Sequence, residues 1–316
     1  MNNNSKIALA IHGGAGTILK SEMTAELEQE YRNGLENALR VGWEILLKNG
    51  SALDAVEATV VELENFPLFN AGRGSVFTHE GRNEMDACVM DGKTLDAGAV
   101  AFVKNVKNPI KLARLVMEKT EHILLAGNGA NEFARQMQVE FETDDYFFTD
   151  FRYRQLLKAK EENVIQLDHS SNRKSQIANH KSLGTVGAVA CDFSGSLAAA
   201  TSTGGMTNKK FGRIGDTPII GAGNYDDNQT CAVSCTGHGE YFMKTLAAYD
   251  VSALMKYKGL SLIEASRAVI DNLRKIGGEG GLIAVDANGN VALPFNSDGM
   301  YRGLVTADGK SIVKIY

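Results

Sequence analysis

The sequence predicts a layered α+β protein, with long amphipathic helices lying outside two antiparallel sheets. Three observations carry that prediction. Apolar residues recur at helical spacing over long stretches, above all Leu27, Tyr31, Leu35, Leu39 and Trp43. Short apolar runs bounded by turn residues come in pairs. Neither half of the chain shows the regular strand–helix alternation of a barrel or a doubly wound sheet.

Residues 6–11 read as a strand buried on both faces, and Gly13-Gly14-Ala15-Gly16 as the turn that ends it. Residues 24–49 read as one long helix, with Gly50 as its C-cap. Ser51 reads as the N-cap of a helix over 52–64, which carries Val56, Val60 and Leu63. The turn-rich Phe69-Asn70-Ala71-Gly72-Arg73-Gly74 leads to strands at 84–91 and 97–103, joined through Asp91-Gly92-Lys93. A helix at 109–119, a short strand at 122–125 and helices at 128–139 and 151–162 follow. From 161 to 183 the chain turns polar and loses its periodicity, the pattern of an exposed, mobile connection. A buried strand over 184–192 then begins abruptly at Gly184-Thr185-Val186, with further strands at 196–202, 217–223 and 230–236. Helices at 239–248 and 261–275 come next. Strands at 281–285 and 290–294 form a closing hairpin around Asp286-Ala287-Asn288-Gly289.

Composition narrows the function classes. The 316 residues are 44% hydrophobic and 22% charged, as expected of a globular protein with ample core. A net charge of -5 without a basic block argues against nucleic acid. The longest apolar runs, near 186–190 and 281–285, are far too short to span a bilayer. The first apolar run stops at His12, so it reads as a buried strand of a cytoplasmic protein and not as a secretion signal. Cys88, Cys191, Cys231 and Cys235 sit in strand-like surroundings without zinc-site spacing, and read as buried structural thiols. Gly13–Gly16 lacks both the P-loop ending and the dinucleotide spacing. Asp91 belongs to its Asp91-Gly92 turn more simply than to a metal cluster with Asp86 and Asp96.

The stronger signal is hydroxyl residues at strand edges beside glycines: Thr185, then Ser202-Thr203-Gly204-Gly205, then Thr236-Gly237-His238-Gly239-Glu240. Singly, β-propensity and helix capping account for such residues. Three of them without a base nearby in sequence suggest another mechanism. A threonine hydroxyl is a poor nucleophile until something removes its proton. A newly freed N-terminal threonine carries its own base, an α-amine that titrates near operating pH. A polar stretch ending at Gly184 and followed by Thr185 is what that mechanism requires. Gly184 lacks a Cβ, which lets the hydroxyl reach the preceding carbonyl in a strained turn.

The ordered set Ile11-His12-Gly13-Gly14-Ala15-Gly16, Phe69–Gly74, Met85-Asp86-Ala87, Gly184–Val189, Thr201–Gly205, Gly212-Arg213-Ile214-Gly215-Asp216 and Cys235–Glu240 covers nearly the whole chain. It closely resembles the plant-type asparaginase / isoaspartyl peptidase family of N-terminal-nucleophile hydrolases. The resemblance implies a single four-layer αββα sandwich over 1–316, made as a precursor. Cleavage between Gly184 and Thr185 would leave an α subunit, 1–184, and a β subunit, 185–316, paired into an (αβ)₂ assembly. It implies Thr185 as nucleophile, with Thr203 holding its hydroxyl. Arg213 would clamp the substrate α-carboxylate, and Asp216 would pair with its ammonium. Thr236 and the Gly237 N–H would form the oxyanion hole. Asn70 would sit close to the nucleophile, and Gly239 would shape the pocket. Asparagine and short β-aspartyl peptides are the implied substrates, without a catalytic cofactor. A structural sodium ion would be held by the backbone carbonyls of Leu63, Glu64, Phe66, Phe69, Ala71 and Arg73. His238 reads either as a helix first-turn residue facing solvent, the preferred reading, or as a substrate contact. Within the same fold, a glycosylasparaginase is the alternative, although such enzymes are normally secreted or lysosomal. A non-catalytic relative is the other, and the intact Thr185, Thr203, Arg213, Asp216 and Thr236 argue against it.

Overall fold

A computed structural model of the protein describes residues 6–162 and 184–316. Nearly all of the expected polar connection, 163–183, lies outside the described residues. The first half runs β1 (Ala8–Gly16), α1 (Ala25–Leu47), α2 (Ala52–Asn65), β2 (Met85–Asp91), β3 (Ala97–Val103), α3 (Pro109–Lys119), β4 (Leu124–Ala126), α4 (Gly127–Gln136), α5 (Asp144–Phe147) and α6 (Asp150–Glu161). The second runs β5 (Val186–Cys191), β6 (Leu197–Thr203), β7 (Asn224–Asp226), β8 (Cys231–Gly237), α7 (Gly239–Thr245), α8 (Ala247–Lys258), α9 (Leu262–Lys275), β9 (Gly280–Asp286), β10 (Val291–Ala292), β11 (Gly299–Thr306) and β12 (Ser311–Lys314).

Among the described residues the strands make an eight-stranded sheet, β12-β11-β1-β5-β6-β2-β3-β4, and a four-stranded sheet, β10-β9-β8-β7. Every pairing is antiparallel except β3–β4. Helices α1–α3 cover the outer face of the large sheet, and α8 and α9 cover the small one. The inner faces of β1, β5 and β6 meet β8 and β9. This is the expected αββα sandwich. Alternation along the strands supplies its three apolar layers. In β1, Leu9 and Ile11 face the helices while Ala8 and Ala10 face the second sheet. A fully buried side chain such as Leu35 contributes about 1.5–3 kcal/mol by leaving water. The helix starts follow local sequence. Thr24 and Ser51 accept from Leu27 and Asp54 N–H at 3.2 and 3.0 Å, and Ser261 with Glu264 closes a capping box on α9.

Several sequence expectations need correction. Gly13–Gly16 is not a turn but the end of β1, which bulges between His12 and Gly14 and stays paired with β11. Asn49, at φ +59°, takes the left-handed position after α1, and Gly50 follows it with its N–H on Ile45. Residues 217–223 form turns closed by Ile219 N–H on Asp216 and Ala222 N–H on Ile219, so the strand begins only at Asn224. The helix expected over 239–248 breaks at Leu246, which is left-handed at φ +50°, and α8 continues to Lys258. The 281–294 hairpin exists but does not close the chain, because β11 and β12 follow and border β1.

Candidate active site

Antiparallel pairing decides where the chemistry converges. Val186 opens β5 opposite Ser202 near the end of β6, so Thr185 and Thr203 emerge at the same edge. The β8 end, Thr236-Gly237, arrives from the second sheet. Gly184, Thr185, Thr203, Arg213, Asp216 and Gly237 line one small pocket there.

Thr185 is 7% exposed, and its hydroxyl donates to Thr203 Oγ1 at 3.2 Å. Thr203 Oγ1 also accepts the Gly205 N–H at 3.0 Å, which fixes its rotamer. Thr236 is not a helix cap. Its Oγ1 accepts the Ala15 N–H at 3.3 Å, and His238 occupies the N-cap of α7 without a side-chain capping bond. With that lone pair taken, the Thr236 proton is left to point elsewhere, as an oxyanion donor requires. The glycine-rich end of β1 thereby orients a hydroxyl on the opposite sheet.

Across the pocket, Arg213 is held by Glu240 through two bonds of 2.9 Å, Nε to Oε1 and Nη2 to Oε2. Glu240 thereby orients the planar guanidinium while using only two of its five N–H donors, which leaves the Nη1 side of the fork for an incoming carboxylate. Asp216 is buried, and its Oδ2 has no hydrogen-bond partner among the described residues. Burial pushes its carboxyl up to about 7, although the nearby Arg213 pulls the other way. A buried carboxylate oxygen left bare in a pocket calls for a cationic ligand group. Gly239 leaves room for both side chains, since an added Cβ would lie 2.5 Å from Asp216 Oδ1 and 3.1 Å from Arg213 Nη2. His238 does not simply face solvent. It is half-buried against the Tyr241 ring, with Nε2 3.5 Å from Glu240 Oε2.

Asn70 stands one step behind Thr185 and Thr203. Its Nδ2 donates to the Gly205 carbonyl at 2.8 Å and its Oδ1 accepts the Val76 N–H at 3.0 Å, so it braces the turn after Thr203. Leu63 and Glu64 occupy the last turn of α2, and Phe66, Phe69, Ala71 and Arg73 lie in the loop that follows. The Glu64 side chain accepts from Ser202 Oγ at 2.6 Å and Ile110 N–H at 3.0 Å, and burial pushes its carboxyl up to about 8. Arg152, fully buried on α6, donates to the Gly74 carbonyl at 2.7 Å and ties α6 to the same loop. All four cysteines are free and buried.

Three contributors lay inside the quoted motifs without an assigned role: His12, Ala15 and Glu240. Periodicity could not flag them, because each acts through a partner distant in sequence.

Comparison with known proteins agrees with this geometry. The family described as Asparaginase matches residues 5–315. An isoaspartyl peptidase of Salmonella typhimurium is 52% identical over 313 residues, 99% of this chain and 99% of that protein. One of Escherichia coli is 51% identical over 98% of this chain and 96% of its own length. An isoaspartyl peptidase/L-asparaginase of Mus musculus is 43% identical over 93% of this chain and 86% of its own. With a family match across nearly its whole length and relatives about half identical over almost all of it, the chain belongs to the asparaginase family.

Proposed function

We propose that the protein is an isoaspartyl peptidase and L-asparaginase that matures by cutting itself between Gly184 and Thr185. The observation that carries this is the Thr185 hydroxyl, 3.2 Å from Thr203, in a pocket lined also by Arg213 and by Asp216, whose Oδ2 has no hydrogen-bond partner among the described residues. In maturation, the Thr185 hydroxyl attacks the Gly184 carbonyl, the acyl group shifts from nitrogen to oxygen, and water hydrolyses the ester. The products are chains 1–184 and 185–316. The freed α-amine then serves as the base for the same hydroxyl. In turnover, that hydroxyl attacks the side-chain carbonyl of a β-aspartyl group. Ammonia leaves from asparagine, or an amine from a β-aspartyl peptide. Water then releases aspartate from the Thr185 ester. Thr236 and the Gly237 N–H stabilise the oxyanion of both steps.

Arg213 and Asp216 read the free amino-acid end of the substrate. Mature protein is expected to release aspartate from both asparagine and β-aspartyl-leucine. Arg213→Ala removes two charge-assisted hydrogen bonds, each worth about 1.5–3 kcal/mol. The expected loss in kcat/KM for β-aspartyl-leucine is at least about 100-fold. Near-normal kcat/KM would remove Arg213 from the clamp.

Acid should weaken binding through Asp216. Its carboxyl titrates near 7 in the empty pocket because it is buried, with Arg213, Glu240 and Asp86 as the charged neighbours. Below that pH it is neutral and offers an ammonium no counter-charge. The Ki of L-aspartate as competitive inhibitor should therefore rise as pH falls below 7, approaching about tenfold per unit. Asp216→Asn should flatten the dependence, and an unchanged slope in that variant would assign it elsewhere.

A structural sodium ion belongs to the same proposal. The backbone carbonyls expected to hold it lie in the last turn of α2 and the loop after it, and carbonyl oxygens are donors of the kind a hard cation takes. Held by Leu63, Glu64, Phe66, Phe69, Ala71 and Arg73, the ion would brace the loop that carries Asn70. An (αβ)₂ assembly is part of the reading too. Phe211, 99% exposed in a single copy and two residues from Arg213, is apolar surface that a second copy could cover. No helix among the described residues is long and apolar enough to cross a membrane. Four free cysteines support a cytoplasmic location.

A further inference from the structure

Behind Thr185 runs a file of buried polar groups that the reaction above does not use. His12 Nδ1 lies 2.9 Å from the Thr185 carbonyl oxygen, and His12 Nε2 lies 2.8 Å from Ser234 Oγ. Ser234 Oγ lies 2.7 Å from Thr201 Oγ1, which accepts from Asn224 Nδ2 at 2.9 Å. His12, Ser234, Thr201 and Asn224 have no exposure at all, and they come from β1, β8, β6 and β7. The file therefore crosses between the two sheets.

Its direction is fixed by its ends. A carbonyl oxygen only accepts, so His12 Nδ1 carries a proton. Burial pushes the imidazole down to about 3, against the opposing pull of the Thr185 carbonyl, so the ring is neutral and Nε2 is bare. Ser234 must then spend its one proton on Nε2. Its oxygen in turn accepts from Thr201, whose oxygen accepts from the Asn224 amide. Every hydroxyl has one proton, and this is the arrangement that makes all four links at once.

Gly187 supplies an independent sign that space is kept for the file. It pairs with His12 across β1 and β5. A Cβ there would run into Ser234 Oγ and lie 2.5 Å from His12 Nε2. The consequence for Thr185 follows from the register. The β5 ladder starts at Val186, so the Thr185 carbonyl lies outside it. Once the bond to Gly184 is cut, Thr185 is a chain end, held at its carbonyl by His12 and at its hydroxyl by Thr203.

We propose that Asn224, Thr201, Ser234 and His12 form a one-way hydrogen-bond relay that positions the nucleophile through the Thr185 carbonyl, with His12 as an Nδ1–H donor and not a base. The proposal rests on Thr185 being the nucleophile. His12, Ser234, Thr201 and Asn224 are positioning residues, since they touch Thr185 or one another and not the substrate.

The test is in two parts. In the mature wild-type enzyme at neutral pH, ¹⁵N NMR of His12, assigned by its loss in His12→Asn, should show a protonated Nδ1 and a bare Nε2. A proton on Nε2 alone, or on both nitrogens, would overturn the relay. Kinetics of the processed fraction give the second part. Ser234→Ala, remote from the pocket, should lower kcat by at least about tenfold and leave KM within about twofold, as a misplaced nucleophile does. His12→Asn, whose amide can still donate to the carbonyl, should keep more kcat than His12→Leu. Wild-type kcat in Ser234→Ala, or a loss confined to KM, would contradict the proposal. Turnover in Thr185→Ala would defeat the nucleophile reading, while the tautomer measurement would still stand, so the two failures are distinguishable.

Discussion

Thr185→Ala is expected to leave one unbroken chain of 316 residues and no measurable turnover. One atom carries both effects. In the proposed mechanism the same hydroxyl attacks the Gly184 carbonyl in maturation and the substrate carbonyl afterwards, and alanine has none. Removing a covalent nucleophile costs on the order of 10⁶ in kcat in hydrolases where it has been isolated. The methyl of alanine fits the buried site, so the fold should survive. Thr203→Ala is milder, because it removes the 3.2 Å partner and leaves the attacking oxygen. A denaturing gel and an ammonia-release assay on the same preparation read both effects. Efficient cleavage or near-normal ammonia release from Thr185→Ala would contradict the assignment.

Thr236→Val has the second-largest expected effect. Valine keeps the β-branched shape that suits β8 and removes only the hydroxyl. The oxyanion then loses a donor, at a cost of about 3–4 kcal/mol, or on the order of 10²–10³ in kcat. The loss should fall on kcat for asparagine and β-aspartyl-leucine alike, with KM little changed, since the donor acts on charge that develops in the transition state. The Ala15 N–H also loses its 3.3 Å acceptor, so some stability is lost with it. A change in KM alone, with kcat intact, would place Thr236 in ground-state binding.

What was legible in the sequence was what repeats locally. The amphipathic periods of α1 and α2, the cap at Ser51 and the abrupt apolar run after Gly184 are short-range signals, and the elements follow them. Tertiary context overrode local propensity elsewhere. Gly13–Gly16 has the composition of a turn. As part of β1 it is flanked by β11, and its missing side chains let the end of the second sheet come close enough for Ala15 to reach Thr236. Gly299 and Gly303 likewise obscured β11, although that strand lies against β1 in the large sheet.

The site divides in the same way. Thr185, Thr203 and Thr236 stood out as hydroxyl residues beside glycines at strand ends, whereas Arg213 and Asp216 were singled out only through the ordered set of motifs that carries the family resemblance. The Glu240 hold on Arg213 spans 27 residues, and the His12 contacts span 173 and 222. No spacing rule reaches that far. Asn70 was expected close to Thr185, and its amide is engaged by Gly205 and Val76, at the turn after Thr203.

The most direct measurement is the intact mass of the purified, active enzyme, followed by an N-terminal read of its smaller fragment. Two chains, with the smaller beginning Thr185-Val186-Gly187 and activity rising with their abundance, are the expected result. Full activity from an uncut polypeptide would contradict the account, because no free α-amine would be there to take the proton from Thr185.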